Sequence, residues 1–160
     1  MPAAQALHEH LRRWAREKPD APAVWWYGQA LSWRQWDDWS DALGAHLQSL
    51  GVAPGEPVAL FMNNCPQYLL AHYAIQKIGA IVCPCGPLNK SHELQYQLAD
   101  LQARVIIAAD NLLPVVDQVR ADTALQHVLA VRYADLLPAA PTLPLPPELA
   151  APPAPLPAGV

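Results

Sequence analysis

The stretch VALFMNNCPQYLLAHYAIQKIGAIVCP, residues 58–84, decides the fold class. It opens with a short apolar run, VALFM (58–62), continues with helical periodicity from Gln67 to Ile78, and closes with a second apolar run, AIVCP (80–84). Short apolar runs separated by an amphipathic helix are typical of parallel strands that are buried on both faces. We therefore predict an α/β fold with a mostly parallel sheet flanked by helices.

The same alternation continues towards the C-terminus. A helix from about Ser91 to Leu101 leads to a third apolar run, RVIIAA (104–109), and a shorter helical segment (112–119) precedes a fourth, HVLAV (127–131). Strands joined in this way are connected by right-handed crossovers. The pattern predicts four strands in one sheet.

The residues before this region predict a helix and a hairpin. Residues 2–18 have the periodicity of an amphipathic helix. AVWWY (23–27) and Ala30–Ser32 flank Gly28-Gln29, which predicts a β-hairpin with a tight turn.

A long amphipathic helix is predicted directly after the hairpin. Ser32 and Gln35 fit a capping box at its start, and Gly51 fits a C-terminal cap. Its apolar stripe is expected to pack in the core, with an acidic opposite face. The stripe is Trp36, Trp39, Leu43, Leu47 and Leu50, and the acids are Asp37, Asp38 and Asp41.

Composition excludes several classes of protein. The chain has 160 residues, 52% of them hydrophobic, and a net charge of -4, so it can form a core but has no basic surface for nucleic acid. It has no apolar run of the roughly 18 residues that span a bilayer, and its start lacks the order of a secretory signal. We expect a soluble, cytoplasmic protein with reduced cysteines.

The distribution of prolines separates the chain into two regions. Nine of the 18 prolines fall in residues 138–160. Proline fixes φ and removes a backbone donor, so we expect this segment to form no helix and to act as an extended linker. The predicted organisation is an α/β unit (1–137) and a Pro/Ala-rich linker (138–160). A proline-rich ligand for an SH3-type domain is the alternative interpretation.

Cys83 and Cys85 raise the question of metal, redox or nucleophilic chemistry. A zinc site needs about four ligands in recognisable spacings, and His92 and the distant Cys65 do not supply them. A redox pair is usually CxxC, and a nucleophile needs a base that one sequence cannot place. We interpret both cysteines as structural and predict no metal site and no catalytic residue.

Residues 31–111 resemble the N-terminal part of adenylate-forming (AMP-binding) enzymes, specifically acyl-CoA synthetases. The resemblance rests on three blocks in order, each weak alone: LSWRQWDDWSDALGAHLQSLGV, GVAPGEPVALFMNNCPQYLLAHYAIQKIGAIVCPCGPL and SHELQYQLADLQARVIIAAD. The chain departs from the family at Gln67, where an acid is usual, and at Gly86, where asparagine is usual.

The resemblance implies a function for a longer parent protein. Such a parent would activate a carboxylic acid, expected to be a fatty acid, to an acyl-adenylate and then to acyl-CoA, with ATP, Mg²⁺ and CoA. The family's Gly/Ser/Thr-rich phosphate loop does not occur in these 160 residues, so we expect an inactive N-terminal scaffold fragment with no cofactor of its own.

The resemblance also sets the expected partners. The remainder of the synthetase is the expected partner, and we expect the isolated chain to self-associate through surface that the remainder would cover. The alternatives are a non-catalytic interaction module that uses the Pro-rich tail, and a small redox or metal protein built on the two cysteines.

Candidate site residues follow from the sheet rather than from a motif. In open α/β sheets, ligands bind beyond the carboxyl ends of the strands. This rule nominates Asn63 and Asn64, and then Gly86, Pro87 and Leu88, as residues that line a substrate pocket. Their competing interpretation is as turn and cap residues.

Overall fold

The computed structural model describes residues 6–152 and Leu156. Within them the order is α1 (Leu7–Glu17), β1 (Pro22–Trp26), β2 (Gln29–Ser32), α2 (Trp33–Ser49), β3 (Pro57–Phe61), α3 (Pro66–Lys77), β4 (Ile81–Cys85), α4 (Ser91–Leu101), β5 (Val105–Ala109), α5 (Leu113–Arg120), β6 (His127–Val131) and α6 (Pro147–Ala150). Residues 2–5 of the first predicted helix lie outside the described part. No helix in the described part is long and apolar enough to span a membrane.

The sheet confirms the predicted α/β class. Its four strands are all parallel, in the order β4-β3-β5-β6, and β1 and β2 form a separate antiparallel hairpin. Alternate residues of the strands point to opposite faces. Leu60 and Ile107 pack in a cluster that includes residues of α2 and α3, whereas Phe61 and Ile106 pack with residues of α4 and α5. Helices therefore cover both faces.

The ends of α2 are set by local sequence. Ser32 Oγ accepts the Gln35 N–H at 3.2 Å and Gln35 Oε1 accepts the Ser32 N–H at 2.9 Å, which confirms the capping box. At the other end Gly51 has φ +85°. The Val52 N–H donates to Leu47 O at 3.1 Å. This is a Schellman ending, in which a glycine accepts the left-handed conformation at little cost.

The hairpin turn lies one residue earlier than predicted. Trp26 pairs with Gln29, so the two turn residues are Tyr27 and Gly28. Their φ values are +50° and +101°. Positive φ at both positions matches the twist of a two-residue hairpin loop, and this requirement overrides the usual reluctance of a tyrosine to adopt it.

The acidic side of α2 carries ion pairs that the sequence did not predict, although Asp38 on the same side is exposed. The Lys77 side chain is only 2% exposed, and its Nζ lies 2.5 Å from Asp37 Oδ1 and 3.0 Å from Asp41 Oδ1. Arg12 reaches Asp41 with two hydrogen bonds of 3.0 Å. These ion pairs join α1, α2 and α3. Trp39, predicted to pack in the core, is 41% exposed.

The described part of the Pro-rich segment packs on the rest of the chain. The expectation that this segment forms no helix is wrong for one turn, α6. A proline stands at the start of α6, where the first N–H groups of a helix have no partner within the helix, so the missing N–H of proline removes no hydrogen bond. Leu145 and Leu149 pack in the core cluster, and Leu149 is 8% exposed. The Thr142 N–H donates to Tyr27 O at 2.9 Å. Leucines supply the bulk that the prolines and alanines lack. Residues 153–155 and 157–160 lie outside the described part.

Candidate functional site

The strand order creates a switch point between β3 and β5. From β3 the chain crosses through α3 to β4 on one side, and from β5 it crosses through α5 to β6 on the other. In open parallel sheets the crevice beyond the carboxyl ends of the strands at this point is the usual ligand site. Asn63 and Asn64 follow β3 here, and Asp110 follows β5.

Tyr133 reaches the same edge from the end of β6. Its hydroxyl oxygen accepts the backbone N–H of Asn63 at 2.8 Å, although the two residues are 70 positions apart. Tyr133 is 5% exposed, and burial raises the pKa of its phenol even though the Asn63 hydrogen bond opposes this. The phenol therefore keeps its proton at neutral pH and can act as a donor.

Three polar side chains lie around Tyr133. Gln67 Nε2 donates to the backbone oxygen of Arg132 at 2.7 Å, and Arg132 Nε lies 3.7 Å from Asp110 Oδ2. Asp110 Oδ1 also accepts the Asn111 N–H at 2.9 Å. Gln67 Oε1 and Arg132 Nε are buried and have no hydrogen-bond partner in the described part of the chain. Buried polar atoms of this kind mark places where a water or a ligand completes a network.

A cleft of about 290 Å³ opens beside this network. Its lining is Trp26, Tyr27, Asn63, Asn64, Tyr133, Pro146 and Leu149. The rings of Trp26 and Tyr27 meet edge to face with centroids 4.9 Å apart. Aromatic and apolar walls with a few carboxamides and hydroxyls bind by contact and by neutral hydrogen bonds. The cleft lining offers aromatic surface, two carboxamides and the protonated phenol of Tyr133, and this combination suits the binding of a ligand.

The predicted candidates fall into two groups. Asn63 and Asn64 line the cleft, whereas Gly86, Pro87 and Leu88 are not among its lining residues. All five lie at the same edge of the sheet, because Phe61 pairs with Cys85. Leu88 is 87% exposed, and a Cβ on Gly86 would meet Asn89 Oδ1 at 2.8 Å. A pocket role for either group remains a prediction.

Sequence reasoning missed four members of the site. They are Gln67, Asp110, Arg132 and Tyr133. A signal for three of them was present, since Asp110, Arg132 and Tyr133 directly follow the third and fourth apolar runs. The strand-end rule, applied to every run, would have nominated them.

The cysteines lie in apolar surroundings. Cys83 and Cys85 are buried while Pro84 between them is exposed, so both thiols face the same side. Burial raises the pKa of Cys65 and of Cys85 to about 11. Cys65 Sγ accepts the Tyr68 N–H at 3.3 Å and so caps α3. Within the described residues no group of three or more His, Cys, Asp or Glu side chains could hold a metal ion.

The start of helix α3 beside the cleft does not fit a nucleotide phosphate. The N-terminus of α3 is the nearest helix start, but Pro66 has no N–H and the Tyr68 N–H is already bonded to Cys65. The Asp110 carboxylate is paired with Arg132 at 3.7 Å, so the Arg132 charge at this edge is already offset. The start of α3 therefore supplies no cradle of free N–H groups for a phosphate.

Comparison with known proteins identifies the family. The model of the family "AMP-binding enzyme" matches residues 11–157. The chain belongs to the AMP-binding enzymes. It is 35% identical over 136 residues to a long-chain-fatty-acid–CoA ligase of Bacillus subtilis, and 36% identical over 134 residues to one of Salmonella typhimurium. These alignments cover 84% and 83% of this chain.

Solved structures of AMP-binding enzymes share the fold. The anthranilate CoA ligase AuaEII, in complex with anthranoyl-AMP, superposes with a TM-score of 0.78 at 26% identity over 82% of this chain. The match covers 26% of that chain, and this chain spans 24% of the length of the two fatty-acid–CoA ligases. The chain therefore corresponds to an N-terminal region of acyl-CoA ligases, as the sequence resemblance predicted.

Proposed function

We propose that the chain is the N-terminal scaffold of an ATP-dependent acyl-CoA synthetase. The whole protein would activate a carboxylic acid, a fatty acid by similarity to the two bacterial ligases, to an acyl-adenylate and then transfer the acyl group to CoA. The observation that carries the proposal is the family match over residues 11–157 in a chain that spans 24% of such ligases.

The chain alone would not perform this reaction. A carboxylate is a poor electrophile, and adenylation requires a site that holds ATP phosphates and offsets their charge. The cleft beside Asn63 and Asn64 offers aromatic and carboxamide contacts instead. We infer that this region contributes sheet, helices and one wall of the acyl or CoA channel, while ATP, Mg²⁺ and CoA are bound by the remainder of the synthetase.

A direct assay tests the inactivity of the chain. Purified protein of residues 1–160 is incubated with ATP, Mg²⁺, CoA and a fatty acid, and acyl-CoA and AMP are quantified. We expect no product above the rate without protein. Robust turnover that persists through a second purification step would refute the scaffold proposal.

The role of the cleft is tested in the full-length synthetase. Asn64→Ala alters a cleft-lining carboxamide, whereas Asn89→Ala alters a carboxamide bonded to Gln97 outside the cleft lining. If the cleft is a channel wall, Asn64→Ala raises the KM for the acid or for CoA several-fold and Asn89→Ala does not. Equal kinetic constants for both variants would show that Asn64 is only a turn residue and not part of a channel wall.

The interaction-module alternative makes a different prediction. A proline-rich ligand must be free and extended to dock on a partner. Leu145 and Leu149 are instead packed in the core cluster of this chain, which favours the scaffold. Capture of one defined SH3-type partner that is lost when residues 138–160 are removed would favour the module.

A further inference from the structure

The hairpin turn holds a tyrosine in an unusual backbone conformation. Tyr27 has φ +50° and Gly28 has φ +101°, and a positive φ is uncommon for a bulky side chain. Backbone outliers of this kind cluster at functional sites, where the surrounding structure holds them in place. Tyr27 also lines the cleft beside Asn63 and Asn64. The turn therefore supplies part of the wall of the candidate site.

The proline-rich segment is bonded to this turn. Residues 138–150 form a strap that meets the turn at Thr142, whose N–H donates to Tyr27 O at 2.9 Å. The hairpin ladder ends with the pair of Trp26 and Gln29, so Tyr27 lies outside it. The bond from the strap therefore satisfies a backbone oxygen that the hairpin ladder does not pair.

Gly28 leaves room for the strap. A Cβ on Gly28 would lie 2.7 Å from Thr142 Cγ2 and from Thr142 Oγ1, and 3.2 Å from Thr142 Cβ. These separations are shorter than the van der Waals contacts of a close-packed interior. Gly55 is a useful comparison, because its φ is +82° but a Cβ there would meet no atom of the described residues within 4 Å. Gly28 is thus required both by its φ and by Thr142.

Beyond Thr142 the strap supplies another part of the cleft wall. Pro146 and Leu149 line the cleft, and Leu149 packs in the same core cluster as Tyr133. Helix α6 also contacts the turn at Tyr133–Leu136. The strap is therefore anchored at the hairpin turn and again in the core cluster, and both anchors lie beside the cleft.

We propose that Gly28 and Thr142 are positioning residues that dock the strap on the hairpin turn and thereby set the width of the cleft. Neither is among the lining residues. They act through Tyr27 on the turn, and through Pro146 and Leu149 on the strap. This inference rests on the proposed function, in which the cleft is a wall of the acyl or CoA channel. It adds that ligand affinity depends on the contact between the hairpin and the proline-rich segment.

Amide hydrogen exchange tests the docking without any ligand, in this chain and in the full-length synthetase. Gly28→Ala should speed exchange of the Thr142 amide roughly tenfold, because the strap can no longer approach Tyr27 O. The matched control, Gly55→Ala, places an alanine at a similar positive φ and should change this exchange by no more than about twofold. Adding Thr142→Ala to Gly28→Ala removes the two atoms at 2.7 Å and should restore most of the protection at position 142.

Steady-state kinetics of the full-length synthetase test the effect on the ligand. Gly28→Ala should raise the KM for the acid or for CoA roughly three- to tenfold and leave kcat within about twofold, because ligand binding is weakened and the reacting groups are not altered. Thr142→Pro removes the same N–H from the strap and leaves the hairpin sequence unchanged, so it should have the same effect. Gly55→Ala should keep the original KM.

Two results would overturn the inference. One is a Gly28→Ala variant with the circular dichroism of the original chain and the Thr142 exchange rate of Gly55→Ala. The other is a KM for Gly28→Ala and Thr142→Pro equal to that of Gly55→Ala. If Asn64→Ala raises the KM and these two variants do not, the cleft binds ligand and only the role of the strap is wrong. If Asn64→Ala also has no effect, the proposed channel wall is wrong as well.

Discussion

Replacing Lys77 by methionine should cost about 3 kcal/mol of folding free energy. The Lys77 ammonium is 2% exposed and donates to Asp37 Oδ1 at 2.5 Å and to Asp37 O at 2.8 Å. Removing one partner of a buried ion pair leaves the other charge uncompensated, which typically costs roughly 3–5 kcal/mol. The lower end applies because Asp37 is 16% exposed and keeps Arg12 at 3.7 Å.

Urea denaturation at pH 7 measures this cost. For a chain of this length the loss corresponds to a fall in Tm of roughly 6–12 °C. The control is Arg34→Met, because the Arg34–Asp20 pair is 3.5 Å long with side chains 57% and 86% exposed. Exposed pairs contribute little, so this variant should change stability by no more than about 0.5 kcal/mol.

A second substitution separates charge from packing. Adding Asp37→Asn to Lys77→Met removes the uncompensated negative charge and should recover part of the lost stability. If Lys77→Met costs no more than Arg34→Met, or if Asp37→Asn lowers stability further in that background, the account of α1, α2 and α3 as joined by a buried ion-pair network is wrong.

Three further predictions use other parts of the structure. Burial opposes ionisation of Asp41, but hydrogen bonds from Arg12 and Lys77 outweigh it and lower the pKa of the carboxyl. The ionised carboxylate therefore stabilises the folded chain above the unfolded pKa of about 3.9, and this stabilisation is lost as pH falls through the lower folded pKa. Asp41→Asn should therefore be less stable than the original chain in urea at pH 7, and this deficit should shrink as pH falls below about 3.9. A deficit that does not change with pH would exclude the ion pair as its cause. Cys65 and Cys85, with pKa values of about 11, should react with a thiol reagent at pH 8 only after unfolding, and fast labelling of the native chain would revive the redox alternative. Leu149→Ala should lower the free energy of unfolding in urea by about 2 kcal/mol, because the side chain is 8% exposed. The control Leu143→Ala, at a site 60% exposed, should lower it by at most about 0.5 kcal/mol. Equal effects would show that α6 does not stabilise the fold.

The sequence predicted the sheet well because each strand is a local apolar run. The run HVLAV is strand β6 residue for residue, and the helix predicted from Ser91 to Leu101 is α4 with the same bounds. These elements are set by periodicity within a short window. Family membership also followed from local blocks, since each block is a continuous run of residues and the blocks follow one another along the chain.

Long-range partners could not be predicted. No partner for the Asp37 and Asp41 carboxylates is evident in the sequence, because Lys77 lies 40 positions beyond Asp37 and only helix packing brings them together. The contact between Tyr133 and Asn63 depends in the same way on the strand order. The docking of Leu149 was hidden by the prolines around it, which predict an extended chain but do not exclude burial of the leucines between them.

The strand order also has a consequence for folding kinetics. Pro57 of β3 pairs with Ile81 of β4, and Val105 of β5 pairs with His127 of β6. Each of these pairings closes a loop of about two dozen residues. The β3–β5 pairing joins Val58 to Val105 and closes a loop about twice as long. Each doubling of loop length adds roughly 0.6 kcal/mol of closure entropy. We expect two βαβ halves to form first and to dock along β3 and β5. The crevice beside Asn63 lies on that seam, so the candidate binding site is assembled only in the last step of folding.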